Sequence, residues 1–214
     1  MFRRAAPSQP AAQWGRVQLM ELPQLSRADW RALYALYRDP ELAALNAAAP
    51  TRIPRLVFRL LLLAEQGRER MSFGVMVGGQ LVGNAELYSF GPGPLVRGAV
   101  HPAAPAATRA TLGVMLARSH WGQGYGQDTL NALLAWGFGQ APDGLAPPLE
   151  RVRLTTLGSN QRAQAAFVRA GFEEKGRFQQ RGRSEVNMEL CRGDWLARHR
   201  HLPPSPASVP GGPP

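Results

Sequence analysis

The run Thr108 to Leu116, followed after four residues by Trp121-Gly122-Gln123-Gly124-Tyr125-Gly126, limits this chain more than any other segment. A strand-like stretch ends in three alternating glycines. Behind them Leu130, Leu133, Leu134 and Phe138 recur at the spacing of a core-facing helix. A glycine-rich turn between strand and helix aims several backbone N–H groups at one point, and the helix dipole adds positive potential there. Such places bind anions. Gly122, Gly124 and Gly126 permit the close approach and unusual φ values that a side chain would obstruct. A nucleoside-triphosphate loop would need Gly-Lys-Ser or Gly-Lys-Thr, which is absent. A dinucleotide-binding turn would need Gly-x-Gly-x-x-Gly early in a βαβ unit, and neither spacing nor position suits.

The remaining pattern supplies the partners of that turn. Arg16 to Glu21 alternates as a strand does, and Ser26 caps a helix whose Trp30, Leu33, Tyr34 and Tyr37 share a face and which ends at Asp39-Pro40. A second helix is expected from Pro54 to Gln66, stopped by Gly67. Ser72 to Val77 and Gln80 to Ser89, joined through Gly78-Gly79, read as a β-hairpin. Residues 91–107, rich in Gly, Pro and Ala, read as a long loop of the kind that borders sites. Pro142 to Pro148 breaks the helix after the glycine turn. Arg151 to Thr156 follows as a strand, then Gln161 to Arg169 as a helix closed by Gly171, then strands at Glu173 to Gln180 and Ser184 to Leu190. The expectation is one α/β (α+β) domain over 14–200, with a mixed sheet of about seven strands and helices on both faces. Residues 1–13 and 201–214 have the composition of disordered tails.

At 214 residues the chain is short for two domains, and its 44% apolar content suffices for a sizeable core. The most hydrophobic stretch, Leu56 to Ala64, contains Arg59 and is far shorter than the roughly 20 residues of a membrane crossing. No signal peptide is evident, and no membrane partner is expected. Cys191, the only cysteine, reads as a buried inert thiol in a reducing, cytoplasmic setting. The net charge of +10 is nearly all arginine, with Lys175 the only lysine. Such a surplus suits nucleic acid, an acidic protein surface or a phosphorylated cofactor, and says nothing about fold. His101, His120, His199 and His201 lack the company of a metal site, and His199-Arg200-His201 reads as a solvated end.

Residues 108–128 and 151–172 resemble the two signature regions of the general N-acetyltransferase (GNAT) superfamily, and Arg16 to Leu190 follows its element order. The family loop is Arg/Gln-x-x-Gly-x-Gly/Ala, which Trp121 to Gly126 matches at both glycines but not at the first position. Asn160-x-x-Ala163-x-x-x-Phe167-x-x-x-Gly171-Phe172 matches the second region except where the family has tyrosine. Leu112 to Leu116, the Trp-Gly-Gln-Gly-Tyr loop and Val186-Asn187-Met188 are most similar to the branch that acetylates N-termini of ribosomal proteins, which has many small-molecule relatives.

The resemblance implies a GNAT-like fold splayed between its fourth and fifth strands and acetyl-CoA as co-substrate, with no metal. It places backbone groups of Val114, Met115 and Leu116 along the pantetheine arm, and amides of Gly122, Gln123, Gly124, Tyr125, Gly126 and Gln127 at the pyrophosphate. Asn160 and Phe167 would also meet the cofactor, and Leu116 N–H would stabilise the oxyanion formed when an amine attacks the thioester. Arg118 and Arg162 are further cations to weigh beside the phosphates. The Glu and Tyr that several relatives use as base and acid are here Thr155 and Phe167, so those roles do not carry over. Glu86, Glu174 and Tyr88 are the candidates in their place. An α-amine with a pKa of about 7.8 is roughly a quarter neutral near pH 7.4, a lysine only about one time in a thousand, so a missing base favours a low-pKa amine. Two readings follow. One is an acetyl-CoA-dependent N-acyltransferase, monomeric or homodimeric, acting on a protein N-terminus, possibly ribosomal, or a small-molecule amine. The other is a catalytically inactive CoA-binding regulatory module with a basic surface for RNA.

Overall fold

The expected strands pair into a single mixed sheet in a computed structural model that describes residues 9–67, 70–91, 108–142 and 144–200. Nearly all of the expected loop at 91–107, residues 1–8 and 201–214 of the expected tails, and His101 and His201 lie outside the described residues. The strands are β1 (Ala12–Trp14), β2 (Val17–Glu21), β3 (Arg70–Val77), β4 (Gln80–Gly91), β5 (Arg109–Leu116), β6 (Arg151–Leu157), β7 (Glu173–Gln180) and β8 (Arg183–Cys191). Their spatial order is β1-β2-β3-β4-β5-β6-β8-β7. Every neighbouring pair is antiparallel except β5 and β6. Between β3 and β4, Gly78 and Gly79 take φ of 56° and 79°, the pair of positive values that a tight right-twisted hairpin requires.

The helices are α1 (Arg27–Arg38), α2 (Pro40–Leu45), α3 (Arg55–Glu65), α4 (Tyr125–Gly137), α5 (Gln161–Ala170) and α6 (Arg192–Arg198). α1 begins with a full capping box, Ser26 and Asp29 each satisfying the other's backbone N–H. α1 and α3 cover one face of the sheet through Leu22, Trp30, Leu33, Phe58, Leu62 and Met76. α4 covers the other, packing Leu130, Leu133 and Leu134 with Leu19, Phe73, Val75, Leu87 and Leu112. Among the described residues, no helix is long and apolar enough to cross a membrane.

Four expectations need correction. Residues 11–13 are not part of a disordered tail: Ala11 and Ala12 are buried, and Ala12 pairs with Leu19. Asp39-Pro40 ends α1 but also starts α2, because Asp39 Oδ1 accepts from the amides of Glu41 and Leu42 and proline suits a first helical position. His199 is no solvated end, since α6 carries it to within 4.4 Å of the Trp195 ring and 5.2 Å of the Trp14 ring. Cys191 is half-buried rather than buried. The single apolar stripe read for α4 also understates it. Thr129 to Gly137 is buried all round, because α4 lies against β1, β2, β4 and β5 of the sheet, α5 packs beside it, and Trp195 of α6 meets Phe138 at its end.

Candidate functional site

The site begins where the sheet comes apart. β5 and β6 pair only at Arg109 with Arg151, Ala110 with Val152 and Thr111 with Arg153. Beyond that, β5 stays with β4 up to Gly83–Leu116, while β6 stays with β8 out to Leu157–Glu185. A gap therefore opens along Leu112 to Leu116, the splay the resemblance implies. Successive strand amides point to opposite edges. Ala117 N–H donates to Val82 O at 2.8 Å, so the Leu116 and Val114 amides aim the other way, into the gap. Gly83 makes this edge possible. A Cβ there would strike the Leu116 side chain and lie 2.5 Å from Met115 O. Gly83→Val is therefore expected to cost about 2 kcal/mol, roughly 4–8 °C in Tm, in a melting experiment.

The glycine loop stands at the mouth of the gap. α5 has Asn160 as a side-chain N-cap and α1 has Ser26, whereas α4 starts on Gly124 with no side-chain cap. Gln127 N–H, expected at the pyrophosphate, already donates to Gly124 O at 3.0 Å, which leaves the amides of Tyr125 and Gly126 for an exogenous acceptor, and the helix dipole favours an anionic one. Gly122 and Gly124 hold φ of 75° and 86°, which only glycine takes without strain. A Cβ at Gly122 would project into open space with no described atom within 4 Å. Gln127 Oε1 is buried without a partner among the described residues. A cradle free of side chains and uncapped amides fit the phosphates of a cofactor such as acetyl-CoA, while the unpaired Gln127 oxygen, an acceptor, suits an N–H of the ligand and not its phosphates.

A cavity of about 410 Å³ runs from this loop through the gap. Of the expected cofactor residues, Val114, Met115 and Leu116 line one wall, and Gly122, Gly124, Gly126 and Gln127 the end. Asn160 and Phe167 line the wall formed by α5. Asn160 Oδ1 is occupied as the cap on Ala163 N–H at 3.2 Å, which leaves its Nδ2 for a ligand. Trp121 Nε1 donates to Leu116 O at 2.9 Å, and Arg162 lies 3.1 Å from the Trp121 ring centroid, so this stack joins the end of β5 to α5 across the gap.

Gln123 and Tyr125 do not line the cavity. Both serve Arg16, at the β1–β2 turn. Its guanidinium donates to Gln123 O at 2.5 Å, approaches Tyr125 Oη at 3.5 Å and sits 4.5 Å over the Tyr125 ring, while its backbone N–H donates to Asp128 Oδ2 at 3.3 Å. A cation more than a hundred residues upstream thus braces the loop, with Arg16 Nη2 3.7 Å from where a Gly124 Cβ would stand. Arg118 does not serve the phosphate end, because it is paired with Asp39 and Glu41 of the α2 segment. Leu42 and Leu45 on α2, its C-cap Asn46, His120, and Arg169 on α5 also line the cavity, though none of them is among the residues expected at the cofactor. The Asp39-Pro40 cap was the one local signal for the α2 wall. Nothing local marks Arg16.

The acid–base candidates separate sharply. Glu174 lies exposed on the edge strand β7, bidentate to Arg177 at 2.8 Å, away from the cavity, and that hydrogen bond lowers its pKa. Thr155 is exposed and donates to Asn187 Oδ1 at 2.8 Å, and Phe167 packs on Phe172. Glu86 is different. Its side chain keeps only 15% of its exposure, beside Gly113, where a Cβ would lie 3.0 Å from Glu86 Oε1. Gly113 is two residues along β5 from cavity-lining Met115, on the same face. Arg70 Nη1 donates to Glu86 Oε2 at 2.9 Å and Ser72 Oγ approaches it at 3.3 Å. Burial nevertheless outweighs these and raises the Glu86 pKa. Tyr88, half-buried on the same face, has its pKa raised by burial and by Glu86, and Arg70 lies 5.5 Å over its ring.

Known proteins agree with this geometry. The Acetyltransferase (GNAT) domain family matches residues 20–173. A spermidine N-acetyltransferase from Vibrio cholerae, solved with CoA and spermine, is 18% identical over 85% of this chain and 98% of that one, with a TM-score of 0.67. A GNAT-family acetyltransferase from Bacillus anthracis is 14% identical over 85% and 98%, with a TM-score of 0.64. No curated protein matches the chain in sequence. The splayed sheet, the uncapped glycine loop and the matched family pattern together show that this chain belongs to the GNAT acetyltransferase family, acyltransferases that use acetyl-CoA as co-substrate.

Proposed function

We propose that the chain acetylates a primary amine by direct attack on acetyl-CoA, and that its acceptor is a peptide α-amine or another amine of low charge rather than a polyamine. The lining of the cavity carries this reading: Arg162, Arg169 and His120 contribute to it, with Leu42, Leu45 and Met115, and among the described residues no Asp or Glu does. A polycation would meet like charge along this lining, with Glu86 as the one carboxylate the proposal sets near the reacting amine. The bound thioester supplies an activated acetyl group. Leu116 N–H, aimed into the gap, donates to the negative charge that develops on the acetyl oxygen. Glu86 takes the amine proton through water, and Tyr88, held protonated, returns one to the leaving sulfur. Thiol release is measured across a panel of N-terminal peptides, small amines and spermidine. Turnover with peptides at a kcat/KM well above that with spermidine is expected. Preference for spermidine overturns the acceptor assignment, and CoA binding without turnover on any amine favours the regulatory reading.

Arg16 allows a separate check. Removing its charge while keeping its bulk, Arg16→Met is expected to raise KM for acetyl-CoA about tenfold with kcat nearly unchanged. With S-acetylpantetheine, which has no diphosphate, the two proteins should be equal. An equal loss on both substrates would mean that Arg16 only supports the fold.

A further inference from the structure

A second groove, of about 630 Å³, lies between α1 and α3, and four of its six lining residues are cationic: the exposed Arg27, Arg31, Arg55 and Arg59, with Trp30 and Leu56. Arg27 and Arg31 are one turn apart on α1, and Arg55 and Arg59 one turn apart on α3, so each helix offers a pair of guanidinium groups. Elsewhere Arg70, Arg118, Arg151, Arg153 and Arg177 are all ion-paired. Among the described residues, none of the four groove arginines has an acidic partner. Asp29, the acidic residue nearest in sequence to Arg27 and Arg31, is held by the Ser26 capping box. Arg59 instead leans over the Trp30 ring at 5.3 Å, and Trp30 Nε1, on a residue 3% exposed, has no acceptor among the described residues.

Four permanent cations held in one groove repel each other and are relieved by an anion whose charge is spread along its length. Guanidinium forks match phosphate oxygens two at a time. We infer that the α1–α3 groove is a binding site for an oligophosphate anion carrying two or more phosphates, separate from the glycine loop. Two helices bearing paired forks suit a short run of phosphates.

Sodium tripolyphosphate is the probe, titrated by calorimetry. The glycine loop is also expected to take phosphates, so the titration is run on the Gly124→Glu protein as well as the wild type. Binding should persist in Gly124→Glu and weaken roughly 100-fold in Gly124→Glu with Arg31→Gln and Arg59→Gln, about tenfold for each guanidinium removed. Should Arg59→Gln unfold the protein by baring Trp30, Arg31→Gln with Arg55→Gln replaces it, with the same expectation. A single-stranded RNA of a dozen nucleotides forms the second arm. No tripolyphosphate binding to Gly124→Glu, unchanged affinity in the arginine variants, or binding of RNA alone would each overturn the site. These outcomes do not depend on acetyl transfer.

Discussion

Gly124→Glu removes acetyl-CoA binding while leaving a folded protein, with the dissociation constant expected to rise by a factor of about a thousand or more. Three effects act together. At φ of 86° any side chain costs about 1–2 kcal/mol of backbone strain, a few degrees of Tm in a protein this size. A carboxylate then stands in the cradle where the uncapped amides of α4 would meet phosphate, repelling an anion that carries like charge. It also stands beside Arg16, 3.7 Å from the new Cβ, and neutralises the cation that braces the loop. Gly124→Ala separates these effects, because it keeps the strain without the charge and should cost no more than about tenfold in affinity. Calorimetric titration with acetyl-CoA reads both variants. Wild-type affinity in Gly124→Glu would remove the diphosphate from this loop.

The second large effect belongs to Glu86→Gln, expected to lower kcat about 100-fold, the lower end of what a positioned general base contributes. Amide for carboxylate keeps the shape beside Gly113 and leaves Arg70 its partner Glu65 at 3.2 Å. The pH profile is the sharper readout. Glu86 must be ionised to accept a proton, and burial places its pKa above the ordinary carboxylate value, so wild-type rate should rise with pH through that raised midpoint. In Glu86→Gln that limb disappears, and only the limb of the acceptor amine remains. Stability moves in the opposite sense. A carboxylate whose pKa is raised by folding stabilises the native state below its unfolded pKa, and that contribution is lost as pH rises through the folded value. At neutral pH the Gln variant is therefore not penalised for losing the charge, and a Tm close to wild type is expected. Unchanged kcat with an unchanged profile would exclude Glu86 from proton transfer.

How much of this was visible beforehand depended on whether the cause was local. The α4 start, the β3–β4 turn, the α1 cap and the α5 helix each follow from residues within one turn of each other, and each lies where the sequence put it. The expected sheet gained β1, because Ala and Gln carry no strand signal until α4 supplies something to bury against. α6 was missed because one buried residue, Trp195, in seven makes no period. Of the three acid–base candidates, Glu86 and Glu174 look alike in sequence, yet one is buried beside β5 and the other is exposed on an edge strand.

By itself the sequence determined that a strand, a side-chain-free turn and an uncapped helix would make an anion cradle, and that the chain carries the two GNAT signature regions. Backbone hydrogen bonding and glycine stereochemistry are short-range, so neighbours suffice to specify them. Only the tertiary structure decided what stands beside that cradle, Arg16 beneath the loop and α2 as a wall, and what gathers elsewhere, Glu86 beside Gly113 and four arginines without acidic partners among the described residues between two helices. Charge and burial act through space, and the chain path that brings distant residues together is set by packing of the whole sheet.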